Sequence, residues 1–360
     1  MLCIASFIVF LILGIFSTYY RNLAGKAWYC VGRRLTFKPC DINFSQEIKG
    51  KIIGKMILTR PRLAKFIGKW IDWIAFAFVI ATIWSIISVM ITGLNLLVYD
   101  TCDPAAPESC SLGGESCGIS ANQMDLSTAI KFGKVGEWAV QPFVTFADTL
   151  SRVPARFQTW KAEEYLSPSA TYYHTFDASK KIAVEAIDPG CIFCQKLFRN
   201  IKEAGFEKKY NLSYIVYPIV DTTTESGYKF KHSPLIASYL EAVKQVSIPA
   251  NARDVPADWQ LLEYIFIGKD GKDTELQYQI NNVFTETEVT AKLHEILKSI
   301  GYSDADIVDI QSRASSEEVK RTLASQRHIV EKEMKTIKIP TIIFDERRYD
   351  RVVDVEKLKQ

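Results

Sequence analysis

Two long apolar runs fill much of the first hundred residues, and the rest of the chain has the mixed pattern of a water-soluble protein. Residues 1–20 are almost entirely apolar, and residues 70–98 are interrupted only by Asp72 and by small polar side chains. Because about 20 apolar residues cross a bilayer as a helix, the pattern predicts two transmembrane helices. Trp70 and Tyr99 are placed to anchor the second helix at the membrane surface. Two buried core helices are the alternative interpretation.

The charges between and after these runs predict how the chain crosses the membrane. Residues 21–69 contain twelve Lys or Arg residues and only two acidic ones, Asp41 and Glu47. Between the second run and Lys131, in contrast, all of the charged residues are acidic. The positive-inside rule therefore makes residues 21–69 a cytoplasmic loop and places both chain ends outside. The first run lacks a basic start and a small-residue cleavage site, which favours an uncleaved anchor over a signal peptide. Contact with anionic membrane lipid accounts for the basic loop, so we expect no nucleic-acid partner.

The apolar pattern changes again after the second run. We divide the chain into a membrane anchor at residues 1–100, an extracytoplasmic connector at residues 101–170 and a folded domain at residues 171–360. In the connector, apolar residues recur at near-helical intervals, with breaks expected at Pro142 and Pro154. This predicts two or three short amphipathic helices, either on the membrane surface or packed against the folded domain.

The folded domain alternates between strand and helix patterns, which predicts an α/β fold. Strands are expected at residues 172–176, 182–187, 212–220, 341–344 and 351–353. A helix is expected after Cys194, with Leu197, Phe198 and Ile201 facing the core. Most of residues 221–335 should be helical, with pieces at residues 235–246, 257–267, 286–300, 304–313 and 316–335. Residues 264–279 are also compatible with a hairpin.

Two cysteines spaced C-x-x-C, Cys191 and Cys194, follow the strand pattern at residues 182–187 and a Pro-Gly break. At the start of a helix, unpaired N–H groups and the helix dipole stabilise the thiolate of Cys191. Such a thiolate attacks a partner's disulfide, and the second cysteine then resolves the mixed disulfide. A zinc site needs about four ligands, and the four histidines are scattered singly. A structural disulfide between the two cysteines is a further alternative.

The connector has three more cysteines, Cys102, Cys110 and Cys117, in a segment rich in Pro, Gly and Ser. On the oxidising side of the membrane, one structural disulfide among them is expected to close this loop. One thiol is then left over. It is inert, pairs with another chain, or relays electrons to the C-x-x-C pair, and the inert thiol is favoured.

The segment Ile337-Lys338-Ile339-Pro340-Thr341 has a proline where a central strand does not tolerate one, which a cis bond at the start of the strand explains. With this proline and the C-x-x-C pair, the chain resembles the thioredoxin superfamily, and specifically its DsbA-like branch. The resemblance covers about residues 175–360 and includes the helical insertion at about residues 221–335. It departs from the branch at Ile192-Phe193, where strongly oxidising members carry Pro-His, and this leaves the redox potential open.

The resemblance implies a thioredoxin-like fold with a helical insertion, here preceded by the two transmembrane helices. It implies that Cys191 and Cys194 are catalytic and that Ile339 and Pro340 hold the backbone of the substrate. Ile192 and Phe193 lie between the cysteines and are counted with the substrate-binding residues. It also places Glu185 where DsbA-like proteins carry a buried acid under the second cysteine.

Glu185 has two interpretations. Strand alternation puts it on one face with Ala183 and Ile187, which favours burial and a raised pKa that lets it exchange a proton with Cys194. The alternative is a side chain that points outward.

The expected function is a membrane-anchored extracytoplasmic thiol–disulfide oxidoreductase that acts on protein cysteines without a cofactor or metal. Its expected partners are client proteins with thiols or disulfides, a membrane redox partner that recharges the cysteine pair, and membrane lipid. The alternatives are a non-catalytic client-binding module and a structural subunit of a membrane complex.

Overall fold

The computed structural model describes residues 61–104, 115–119, 126–221, 224–246, 255–269 and 274–360, together with a few positions between 22 and 54. The chain divides into two compact units, residues 1–91 and 92–360. The predicted first transmembrane helix at residues 1–20 and most of the basic loop lie outside the described residues.

A single long helix, α1, runs over Pro61–Tyr99 and contains the predicted second transmembrane segment. Its stretch Trp73–Tyr99 is the one helix in the described part of the chain that is long and apolar enough to cross a membrane. Large apolar side chains such as Trp84 and Met90 are exposed along it.

The described part of the connector contains two α-helices, α2 over Leu126–Lys131 and α3 over Val135–Arg152. The predicted break at Pro142 is wrong, since α3 continues through it; a proline removes only one backbone hydrogen bond, and the remaining turns of α3 persist. Pro154 does mark the end, in a short 3₁₀ turn at Val153–Arg156. On α3, the Thr149 hydroxyl donates to Asn95 Oδ1 (3.1 Å), and both residues are buried. The polar side of α3 therefore faces the end of α1.

In the described residues, six strands form two sheets. They are β1 at Cys117–Gly118, β2 at Ile182–Ile187, β3 at Asn211–Val216, β4 at Lys338–Ile339, β5 at Thr341–Phe344 and β6 at Arg347–Tyr349. The main sheet has the order β3-β2-β5-β6, with β2 parallel to β3 and antiparallel to β5. The small sheet is the antiparallel pair of β1 and β4. The predicted bounds of β2 and β5 are confirmed.

Two predicted strands are wrong. Residues 172–176 form no strand, and the Tyr173 N–H donates to the Leu212 carbonyl (2.9 Å) at the edge of β3. The last strand lies at Arg347–Tyr349 and not at residues 351–353. Asp345 and Glu346 both take positive φ angles, 47° and 60°, and make a tight turn, so β6 pairs with β5 at once.

The helix after the first cysteine, α4, spans Ile192–Ala204 and is followed by the short α5 at Phe206–Lys209. Leu197, Phe198 and Ile201 are fully buried, as predicted. Gly205 ends α4 with φ 65°, the left-handed conformation that favours glycine. The apolar face of α4 thereby packs into the core that also contains β2, β3 and β5.

The insertion consists of six described helices and a π-helical turn. They are α6 at Ser233–Val243, α7 at Ala257–Ile267, α8 at Leu276–Asn282, α9 at Glu286–Ile300, α10 at Asp304–Ala314, α11 at Glu317–His328 and the turn at Ile329–Met334. The predicted bounds of α7 and α9 are confirmed. The alternative hairpin at residues 264–279 is not formed in the described residues, which are mostly helical there. They contain one isolated β-bridge, between Lys269 and Glu275. A short helix, α12 at Val355–Lys359, ends the chain.

This arrangement is a thioredoxin-like fold: a mixed sheet, a helix that starts with the first cysteine after β2, and a proline before β5. The Ile339–Pro340 bond is cis, as expected. The fold therefore brings three distant segments together, namely the end of β2, the start of α4 and the loop between β4 and β5.

Candidate active site

Cys191 is the N-cap residue of α4 and follows the turn that leaves β2. Its carbonyl accepts the N–H groups of Cys194 and Gln195, both at 3.1 Å, which starts the helix. Its sulfur therefore lies at the helix end where unpaired N–H groups stabilise a negative charge. The strand–turn–helix order predicted around the two cysteines is present in the fold.

Cys191 is bonded to Cys117, with a Cα–Cα distance of 6.5 Å, and Cys194 is a free, buried thiol. This corrects the favoured expectation that the third connector thiol is inert. Cys102 is also disulfide-bonded, and Cys110 lies outside the described residues. The expectation failed because β1 pairs with β4, and this pairing carries Cys117 across 74 residues of sequence to Cys191.

The strand with Cys117 runs along the loop before the cis proline. Cys117 is directly opposite Ile339, and the N–H of Ile119 donates to the Ile337 carbonyl at 2.8 Å. Two residues before Cys117, the Glu115 carbonyl accepts the N–H of Val352 at 2.9 Å. Cys191 Sγ lies 3.8 Å from the Ile339 carbonyl oxygen. An extended peptide is thus held by its backbone while its cysteine is bonded to Cys191.

The other predicted substrate-binding residues border this peptide position. Pro340 is buried at the start of β5, next to Ile339. Ile192 is 55% exposed on the first turn of α4, whereas Phe193 is half-buried and packs against the core. Of the two side chains between the cysteines, Ile192 is the one that presents apolar surface to solvent.

Cys194 is fully buried one turn into α4. The backbone N–H of Asp188 donates to its sulfur at 3.4 Å. Burial raises the pKa of the Cys194 thiol well above its ordinary value, and the negative charges of Asp188 and Glu185 raise it further. Cys194 is therefore protonated at neutral pH unless a neighbouring group takes its proton.

Glu185 is 0% exposed in the middle of β2. Neither of its carboxylate oxygens has a hydrogen-bond partner among the described residues. Burial raises its pKa from 4.5 to about 8. The side chain is buried as favoured, although alternation was not a decisive signal, because residues on both faces of β2 are buried.

Asp188 is a site residue that the sequence analysis missed. Its carboxylate accepts the N–H groups of Ile219 (2.7 Å) and Gly190 (2.8 Å) and the hydroxyl of Ser233. Burial raises its pKa to about 6, although these hydrogen bonds favour the charged form. The signal was present, since Asp-Pro-Gly is a turn sequence in which the carboxylate bonds the N–H two residues ahead.

The turn before Cys191 is fixed by the insertion. Gln277 Nε2 on α8 donates to the carbonyls of Pro189 (2.7 Å) and Cys191 (3.2 Å), and Asn281 Nδ2 donates to the Gly190 carbonyl (2.7 Å). A Cβ on Gly190 would lie only 2.4 Å from Phe230 Cβ, so the close approach requires glycine. The insertion thus holds the active-site turn by its backbone, a role that the sequence did not reveal.

The described residues contain no group of three His, Cys, Asp or Glu side chains that could hold a metal ion. The chemistry available at the site is that of the Cys191 and Cys194 sulfurs, the buried carboxyls of Glu185 and Asp188, and a peptide groove. Such a set can exchange disulfides, because one sulfur accepts a partner and the second can displace it.

No protein-family profile matches the chain, and neither does any curated protein. Among solved structures, it is similar to MdbA, a thiol-disulfide oxidoreductase from Corynebacterium diphtheriae, at 14% identity and a TM-score of 0.38, over 56% of this chain and 93% of that chain. It is also similar to the reduced form of the disulfide bond oxidoreductase DsbG from Mycobacterium tuberculosis, at 14% identity and a TM-score of 0.36, over 56% of this chain and 97% of that chain. A third similar structure is Proteus mirabilis ScsC in a compact conformation, at 15% identity and a TM-score of 0.36, over 65% of this chain and 90% of that chain. Similarity at this level carries no information about activity.

Proposed function

We propose that the protein is a membrane-anchored thiol–disulfide oxidoreductase that acts on protein cysteines outside the cytosol through Cys191 and Cys194. One observation carries this proposal. Cys191 is disulfide-bonded to a strand that is paired to the loop before the cis proline, while Cys194 remains a free thiol one turn further along α4. This is the arrangement of a mixed disulfide between an enzyme and a peptide, with the resolving thiol in place.

In the proposed reaction, the Cys191 thiolate attacks a client disulfide, forms one S–S bond and releases one client thiolate. Cys194 then loses its proton and attacks Cys191, which releases the client's second sulfur as a thiolate that takes up a proton. In the opposite direction, a client thiolate attacks the Cys191–Cys194 disulfide and Cys194 leaves. Both directions move one proton on or off the buried Cys194.

We assign Glu185 the role of proton carrier for Cys194. Its charged form disfavours the Cys194 thiolate, and its pKa of about 8 leaves it able to accept or donate a proton at physiological pH. A surface carboxyl with an ordinary pKa near 4 would be ionised throughout this range and could not donate.

Clients bind through their backbone in the groove between β4 and Val352. The groups that hold a peptide there are the carbonyl of Ile337 and the N–H of Val352. Because they bond only to the peptide backbone, they do not select for particular client side chains. The exposed apolar side chain of Ile192 adds a contact beside the reacting sulfur. We therefore expect broad client recognition that requires an unfolded or extended segment around the client cysteine.

The membrane part of the proposal places two transmembrane helices, residues 1–20 and 70–98, on either side of a cytoplasmic loop. The exposed apolar surface of α1 supports the second of them. The outward side of α3 is also apolar, with Phe143, Val144 and Leu150 exposed, whereas Thr149 faces α1. We propose that α3 lies in the surface of the bilayer.

Release of glutathione from a peptide–glutathione mixed disulfide tests the proposed exchange. The full chain in detergent is reduced and mixed with a peptide whose single cysteine carries glutathione. The wild type should release glutathione, and Cys191→Ser should not. Cys194→Ser should complete only the first step, because no second thiol resolves the adduct. Equal release by wild type and Cys191→Ser would refute the assignment.

A non-catalytic client-binding module is the second candidate, and the burial of the Cys117–Cys191 bridge favours it. If the bridge is permanent, mild dithiol treatment leaves it closed, and serine variants of Cys191 and Cys194 function as well as wild type in cells. An oxidoreductase requires the bridge to open under that treatment and both cysteines to be needed.

A further inference from the structure

The segment Glu115–Ile119, called here the docked segment, fills the proposed client groove. Its backbone makes one hydrogen bond at each end, from the N–H of Ile119 to the Ile337 carbonyl (2.8 Å) and from the N–H of Val352 to the Glu115 carbonyl (2.9 Å). Between them, Ser116 and Cys117 are buried. The Lys229 ammonium donates to the Gly118 carbonyl at 3.4 Å. The segment is therefore held by its backbone at both ends, and its middle part, Cys117–Gly118, pairs with β4 as a strand.

The docked segment and a client would need the same groups. The Ile337 carbonyl is already an acceptor, the edge of β4 is already paired, and Cys191 is already bonded. A second peptide cannot bind there while the segment is in place. The docked segment is thus a competitor of clients within the same chain.

We propose that Cys117 is a third redox-active cysteine, and that the docked segment is an internal client which closes the groove until disulfide exchange releases it. This inference rests on the proposed oxidoreductase function and deepens it. It gives Cys117 a role in the reaction cycle, and it makes access of external clients depend on which cysteine is bonded to Cys191.

The releasing step is a disulfide rearrangement within the chain. Cys194 loses its proton, its thiolate attacks Cys191 Sγ, and the Cys191–Cys194 bond forms as the Cys117–Cys191 bond breaks. The Cys117 thiolate leaves and takes up a proton, so one disulfide and one thiol are present before and after the step. No external oxidant or reductant is needed.

The contacts that hold the docked segment are compatible with reversible release. β1 and β4 are each only two residues long, and the Glu115–Lys196 ion pair is half exposed, which makes it weak. The disulfide is the strongest single link. The proton that Cys194 must lose is held tightly, because burial and two neighbouring acids disfavour its thiolate. The docked form should therefore persist until Cys194 is deprotonated.

Peptide mapping tests whether the bond exists in the protein. The full chain in native membranes is quenched with acid, alkylated and digested without reduction. Cleavage after Phe193 separates Cys191 from Cys194, and cleavage after Glu115 separates Cys117 from Cys110. We expect a Cys117–Cys191 linked peptide in the wild type and a larger share of it in Cys194→Ser, which cannot resolve the bond. Absence of the linked peptide from both proteins would overturn the inference.

Exchange kinetics test whether the segment closes the groove. With a reduced peptide that carries two thiols as substrate, and no reduction of the protein beforehand, Cys117→Ser should oxidise the peptide to its disulfide faster than the wild type, because its Cys191–Cys194 disulfide is open to attack by the peptide thiolate. If the segment is docked in about nine molecules of ten, the gain is about tenfold. Ile119→Pro removes the N–H that bonds Ile337 and should also be activated, whereas the matched control Ile119→Ala keeps that N–H and should be activated less.

The outcomes separate this inference from the proposed function. If Cys117→Ser and the wild type react at the same rate while Cys191→Ser is inactive, the internal-client role is wrong and the oxidoreductase function stands. A slower Cys117→Ser also overturns the internal-client role. If neither the wild type nor Cys117→Ser exchanges even after reduction, the oxidoreductase function itself fails.

Discussion

At the scale of single residues, the proton states around Cys194 decide how the site works. Glu185 has no hydrogen-bond partner for its carboxylate in the described structure, and Asp188 has three. Both acids have raised pKa values, about 8 and about 6, because both are buried. Their difference follows from the hydrogen bonds, which stabilise the charged form of Asp188 and not that of Glu185. Glu185 is therefore mostly neutral at pH 7, and Asp188 is mostly charged.

Glu185→Gln should change the pH dependence of stability. The pKa of Glu185 rises from 4.5 in the unfolded chain to about 8 in the fold, so the unfolded form loses its proton first and stability falls as pH rises between these values. Between pH 5 and pH 8 the wild type should lose about 3 kcal/mol that Glu185→Gln retains. Thermal unfolding of the full chain in detergent at both pH values measures this, with Glu356→Gln, an exposed acid, as control. Parallel pH profiles for wild type and Glu185→Gln would show that the carboxyl is not buried.

Gly190→Ala should displace the active-site turn. Its new Cβ would meet Phe230 Cβ at 2.4 Å, and relief of such overlap costs about 1–3 kcal/mol of stability. The unfolding temperature should fall and the alkylation rate of Cys191 after reduction should change. Gly136→Ala on the exposed side of α3 meets nothing within 4 Å and should be neutral or slightly stabilising. Equal unfolding temperatures for the two variants would contradict the close packing at Gly190.

At the scale of elements, α8 is the helix that fixes the turn before Cys191. Gln277→Ala removes the donor to the Pro189 carbonyl, and an unpaired buried acceptor costs about 1–3 kcal/mol. We expect lower stability together with slower glutathione release. The control Asn282→Ala loses only a bond to its own helix, at the Tyr278 carbonyl. Wild-type exchange by Gln277→Ala would show that the insertion does not position the cysteines.

Elements with strong local signals were predictable from the sequence. β2, β5, α7 and α9 have their predicted bounds, since apolar periodicity and caps such as the Thr285–Glu288 box are local properties. The partner of Cys117 was not predictable, because it depends on the pairing of β1 with β4 across more than 200 residues. Gln277 and Asn281 were missed for the same reason, since their partners become neighbours only in the fold. Asp188 was missed although its Asp-Pro-Gly turn is a local signal.

At the scale of the whole molecule, the connector contributes both an apolar helix and the segment that fills the groove. The exposed apolar residues of α3, among them Phe143 at 70% exposure, would be costly in water and are suited to the bilayer surface. The connector is therefore itself part of the candidate site.

A photoactivatable lipid should label α3 in the full chain reconstituted in nanodiscs. Cleavage after Lys134 and Arg152 gives one peptide that covers this helix. Phe143→Asp combined with Val144→Asp should reduce labelling several-fold, because each charge opposes insertion into the bilayer, whereas Glu137→Gln on the same helix should not. Unchanged labelling of the aspartate variant would place α3 away from lipid.

The central claim is that Cys191 exchanges disulfides with peptides whose backbone pairs with the edge next to the cis proline. The most direct measurement is the adduct between the reduced full-length Cys117→Ser, Cys194→Ser variant and a peptide whose one cysteine carries glutathione. We predict a single covalent adduct at Cys191 that dithiothreitol removes, and a lower yield for a peptide N-methylated two residues after its cysteine, the position that Ile119 occupies. An adduct at another cysteine, or none at all, would contradict the account.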